Sequence, residues 1–250
     1  MSRHQPSRNH VSGVLALLCL LFLGFPIVSE SSPLSPQTTL TDRDRQSIEA
    51  LIFGTGPLGA GACPAYHRWA GFPRGSHIDV LLAKGVAKDK RLQIRSTLEQ
   101  VSQATHGAIS VSIHETNESE PSSQDFQVAS MTHDDPTKFG CMTKVGCTHH
   151  EWKEPGVLKA SRAVQPKNQT PQAYAHDVVG HGILGMCHIR AQAIGGAGQS
   201  LMSGGPGVYS GQSSGLLTEL DIHVLRMVYA SQLSPGATRQ DFIRTGLINP

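Results

Sequence analysis

"AYAHDVVGHGILGMCHI", residues 173–189, decides how this chain is read. It carries three histidines, His176, His181 and His188, and a carboxylate, Asp177, directly after the first. Neutral imidazole is a common metal ligand, and a catalytic zinc takes about three protein ligands and keeps one position open. The short pattern H-E-x-x-H holds its two histidines four apart on one helix face. Here they are five apart and the acid is Asp. A regular helix turns by about 100° per residue, so His176 and His181 would point about 140° apart and could not share one ion.

Three readings follow from that spacing. The extra residue can be absorbed as a π-bulge, which Gly180, just before His181, would ease. Alternatively Asp177 and His181, four apart, face the same way and Asp177 is itself a ligand of an Asp/His/His set. The third reading leaves the histidines as ordinary polar residues on a partly exposed helix. The helix is predicted from Pro171 to Gly185, with Thr170 as N-cap and Pro171 in its first position. Gly185 is placed to end it in a left-handed turn and to swing His188 back toward the helix face. Met202, among the small residues of "SLMSGG", lies where a tight turn can pass beneath a metal site.

This order of helix, glycine turn, third histidine and methionine turn resembles the metzincin clan of zinc metallopeptidases. It is most similar to the matrixin-like members, whose signature is H-E-x-x-H-x-x-G-x-x-H followed by a Met-turn. The resemblance covers roughly residues 75–232, with the matched motif inside 176–202. It implies Zn2+ held by His176, His181 and His188, Asp177 as catalytic base, Gly185 as the turn glycine and Met202 as the Met-turn. It also implies an α+β fold with a small mixed sheet, an active-site helix and a C-terminal helix. The implied activity is hydrolysis of a peptide or protein substrate by a zinc-activated water. The chain departs from the signature by one added residue before His181, another before Gly185, and Asp for Glu. A relative that binds metal or a partner protein without hydrolysis is the alternative. Matrixin-like zymogens can hold latency with a cysteine on the zinc. Cys63 lacks the surrounding residues of that switch, and a disulfide is its expected role.

The rest of the chain is read around this centre. Its 250 residues suffice for one substantial domain, and 26 Gly and 15 Pro imply a loop-rich one. A net charge of +2 gives no sign of a nucleic-acid partner. Residues 1–31 join a basic start to an apolar run, Val14–Val28, and read as a signal peptide or an uncleaved N-terminal anchor. That anchor would be the only membrane contact, and the folded part is expected outside the cytoplasm, secreted or periplasmic. Residues 32–74 are assigned to a linker and an N-terminal helix, and 75–250 to the metallopeptidase-like domain. Four cysteines remain beyond the signal, with three possible pairings. The short loop "CMTKVGC" favours Cys141–Cys147 and leaves Cys63–Cys187.

Helices are predicted after Thr41, with Asp44 completing a capping box, over 87–104 with Leu92, Arg95, Leu98 and Val101 on one face, and after Thr218. Strands are predicted at 77–85, 108–115, 125–131 and 156–164. Residues 116–155, with His149 and His150, read mainly as polar surface loop, and the tail after 231 as packed or frayed. Tyr209 is a candidate for lining a substrate cleft.

Overall fold

The elements follow in the order α1 (Asp42–Phe53), β1 (Ser76–Leu82), α2 (Lys88–Leu98), α3 (Val101–Ala104), β2 (Ile109–Glu115) and β3 (Val128–Thr132). Then come β4 (Cys147–Glu154), β5 (Val157–Gln165), α4 (Pro171–Ala175), a π turn (His176–His181), two-residue strands β6 (Gly204–Gly205) and β7 (Val208–Tyr209), α5 (Glu219–Ala230) and α6 (Arg239–Arg244). The computed structural model describes residues 40–61, 63–65, 67–121, 126–142, 144–190, 200–205, 208–209 and 215–250, all within one unit, Thr39–Pro250. The expected signal or anchor at 1–31, most of the linker, much of the glycine-rich loop and the Tyr209 side chain lie outside the described residues.

Five strands form a mostly parallel sheet in the order β2-β1-β3-β5-β4, with β4 antiparallel on the edge. The fold is thus mixed α+β. Ala163 belongs to the main hydrophobic cluster and its neighbour Val164 to a smaller one with Ala83, Met131 and Cys141. Successive strand residues point to opposite faces, so the two clusters lie on opposite sides of the sheet. The main cluster joins Ile48, Leu51 and Ile52 of α1 to Ile94 of α2, Val178 and Val179 of the π turn and Val224 of α5. Edge-to-face contacts Phe53–Phe242 and Trp69–Tyr229 brace α1, α5 and α6 against one another.

Several expectations change. The 116–155 stretch contains β4, whose sequence "CTHHEWKE" has no apolar alternation because it pairs on one side only and stays half exposed. His149 and His150 therefore sit on a strand. The predicted 87–104 helix breaks after Leu98, where Gln100 turns its side chain to accept the Leu217 N–H at 2.9 Å. Leu92 is 55% exposed, and the face buried in its place is Lys90, Ile94, Thr97 and Leu98. The tail holds α6, capped by Thr238 and Asp241 in the same reciprocal box as Thr41/Asp44 and Thr218/Asp221.

Both disulfides form as Cys63–Cys187 and Cys141–Cys147. Such bonds persist in oxidising surroundings outside the cytoplasm. No helix among the described residues is long and apolar enough to cross a membrane.

Candidate metal centre

Thr170 starts the key helix by accepting the Ala173 N–H at 3.3 Å, with Pro171 in the first turn. The α-helix lasts five residues and widens at His176 into the π turn, short of the predicted end at Gly185. Gly182 N donates to Asp177 O at 2.9 Å and Leu184 N to Val179 O at 3.0 Å, each five residues back. The sheet fastens this backbone. Thr148 Oγ1 of β4 donates to Asp177 O at 3.2 Å, and Ser161 Oγ of β5 to Gly182 O at 2.8 Å. The turn ends at Gly185, whose φ of +62° is left-handed and where a Cβ would overlap Ala70 O.

The extra residue brings the three histidines together. His188 Nε2 lies 2.9 Å from His181 Nε2 and 3.2 Å from His176 Nε2. His176 Nδ1 is 2.9 Å from Leu201 O, and His181 Nδ1 is 2.8 Å from Met186 O. A carbonyl can only accept, so each Nδ1 carries the proton and each Nε2 turns its lone pair to the common centre. His176 and His181 thus both turn lone pairs toward His188 Nε2, an arrangement that a cation at the centre would complete. Tetrahedral zinc, with bonds of about 2.0–2.1 Å, sets its nitrogen ligands about 3.3 Å apart, close to what is found. The three residues form a group able to hold a metal ion.

The electrostatics suit a cation. Burial, then the neighbouring His188, holds His176 down at about 3, and burial with the charges of His176 and His188 holds His181 well below an ordinary histidine. These two imidazoles are therefore neutral, the form that binds metal. Asp177 Oδ1 lies 3.9 Å from His176 Nε2, and burial raises its carboxyl to about 7. A nearby cation favours the charged carboxylate and would reverse that shift.

Met202 lies directly under the turn, since a Cβ at Gly180 would overlap its Sδ. Asp221 of α5, fully buried, holds this segment: Ser200 Oγ donates to it at 2.6 Å and Leu201 N at 2.7 Å. Leu201 O in turn accepts from His176 Nδ1, so a chain of hydrogen bonds joins α5 to the His176 ring. The sequence marks Asp221 as a capping residue and gives no sign of this second duty.

His176, His181, His188, Gly185, Met202 and Asp177 are thus brought to one place. His150, on β4, lies near enough for its charge to depress His181, and its own burial lowers it to about 4. A second cluster, Cys141, Cys147 and His149, also has metal-ligand types, but its sulfurs are joined in a disulfide 3.1 and 3.9 Å from His149 Nε2. No family model matches the chain, and no curated protein matches it.

Proposed function

We propose that the chain is an exported, metzincin-like zinc metallopeptidase of the matrixin-like kind, acting on peptide or protein substrates. The observation that carries this reading is the convergence of the three Nε2 atoms at 2.9 and 3.2 Å across a π turn, with Asp177 beside them. Three imidazoles with no thiolate suit zinc, and three protein ligands are the number a catalytic zinc takes. The mixed sheet, active-site helix and closing helix α5 support the same family. The disulfides and the apolar N-terminal run support export, free or through an N-terminal anchor.

When bound, zinc supplies Lewis-acid chemistry, lowering the pKa of a coordinated water and polarising the scissile carbonyl. His176, His181 and His188 hold it. Asp177 would serve as the general base, holding a proton at its carboxylate and returning it to the leaving amine. Met202 is an apolar floor that keeps the ligands from shifting. A silent, metal-binding relative is the second reading, favoured by the shorter arm of Asp177 and its 3.9 Å approach to a ligand nitrogen, which also suits a ligand role.

Zinc-loaded protein should cleave an unfolded protein substrate, and Asp177→Ala should keep its zinc while losing about 10²–10⁴-fold in rate. Cleavage that persists in Asp177→Ala rejects Asp177 as the base. Tight zinc without cleavage by the wild type leaves the metal-binding reading.

A further inference from the structure

His188 is the one ligand with no helix beneath it. His176 and His181 are fixed by the π turn, whereas residues 187–190 are held by a short ladder to the end of α1 and the glycine-rich segment "GTGPLGAGAC", 54–63, and by Ile189 N donating to Met202 O at 3.0 Å. Cys187 N donates to Leu51 O at 2.7 Å, His188 N to Gly61 O at 3.2 Å, Ala60 N to His188 O at 3.0 Å and Arg190 N to Leu58 O at 2.9 Å. The Cys63–Cys187 disulfide closes this ladder covalently, one residue before the ligand, across a separation of 124 residues. Gly54 makes room for it, since a Cβ there would overlap Cys63 Sγ.

We propose that the Cys63–Cys187 disulfide is a positioning device for His188, so that metal binding is gated by redox state: the oxidised chain holds its metal tightly and the reduced chain does not. This rests on reading His176, His181 and His188 as the ligands. A glycine-rich segment has much conformational freedom, and without the cross-link that freedom passes directly to the loop that carries His188. His176 takes its carbonyl partner from Leu201, far from the cross-link in sequence, whereas the partner of His181, Met186 O, lies on the residue before Cys187. The chain would thus stay metal-poor in a reducing compartment and load after export.

Opening the disulfide takes two electrons and two protons. A phosphine supplies the electrons and becomes its oxide with oxygen from water, leaving two thiols and no competing chelator. Zinc and cobalt affinities are measured by competition with a chromophoric chelator. The cobalt spectrum reports the number of imidazoles, and circular dichroism reports the fold. The proteins are the wild type, Cys141→Ser/Cys147→Ser and Cys63→Ser/Cys187→Ser.

The Cys141→Ser/Cys147→Ser protein should match the oxidised wild type and weaken about 10–100-fold with phosphine, its circular dichroism unchanged and its cobalt spectrum that of fewer imidazoles. Cys63→Ser/Cys187→Ser should bind weakly from the outset and ignore phosphine. An affinity within twofold of wild type for that variant overturns the proposal. So does unfolding of Cys141→Ser/Cys147→Ser on reduction, because the bond would then serve the fold as a whole. Oxidised wild type that binds neither metal instead rejects the ligand assignment itself.

Discussion

Asp177 is a buried carboxyl beside three histidines, and its partner would be the cation they could hold. In the metal-free protein its pKa is raised from 3.8 to about 7, so the folded chain keeps a proton that the unfolded chain has lost. Its contribution to stability is present below pH 3.8 and falls as pH rises toward 7. His176 has the opposite sign. Held at about 3 against 6.5 unfolded, it leaves the unfolded chain with the extra proton, so metal-free stability from this group rises as pH climbs from about 3 to 6.5. The two slopes oppose each other over about pH 4–6.5, so Asp177→Asn should make the stability of metal-free protein rise more steeply with pH across that range in thermal melts. A curve unchanged by that substitution would contradict the burial of this carboxyl. At this scale much was legible in the sequence, because histidine, aspartate, glycine and methionine each announce their chemistry. His150 was not legible as a neighbour of the centre, since only the pairing of β4 brings it there.

At the scale of the element, the π turn is what makes the five-residue spacing work. Its floor is Met202 against Gly180, so Gly180→Ala should push the sulfur aside and destabilise by about 1–3 kcal/mol in denaturant unfolding. Adding Met202→Ala should recover part of that loss, giving a coupling energy in a double-mutant cycle, and strict additivity would mean that the two do not touch. Gly185→Ala meets both a left-handed φ and the Ala70 carbonyl, and should cost more than about 2 kcal/mol by the same measurement. The possibility of a bulge could be read from His176 and His181 alone, because a regular helix fails geometrically. What secures it could not be read: Thr148 and Ser161 satisfy the carbonyls, and neither is near the motif in sequence. The helix α6 was legible in principle, since Thr238 and Asp241 repeat the capping spacing found twice earlier. Strand β4 was not, as a polar edge strand lacks the alternation that marks a half-buried one.

Over the whole molecule, the centre is assembled from parts far apart in the chain. The π turn rests on β4 and β5, the Met-turn hangs from α5 through Asp221, and His188 is tied to the segment after α1 by a disulfide. Asp221→Asn removes one of the two oxygens that Ser200 Oγ, Leu201 N and Thr218 N share, and should lower metal affinity about 10–100-fold, measured by chelator competition, although it touches no ligand. Four strands and the two bounding helices followed from hydrophobic pattern and capping residues, whereas the mixed sheet was implied only by the resemblance. Of the long-range ties, Cys63–Cys187 followed from the short Cys141–Cys147 loop by elimination, whereas the tie through Asp221 did not, because a single buried carboxylate does not name its distant partner.

The most direct test of the central claim is X-ray absorption at the zinc edge together with zinc content of the purified, oxidised chain. The account predicts one zinc per chain, bound by three imidazole nitrogens at about 2.0–2.1 Å, and loss of that zinc in His181→Ala. A protein that holds no zinc, gains no thermal stability when zinc is added, or keeps full occupancy without His181 would contradict it.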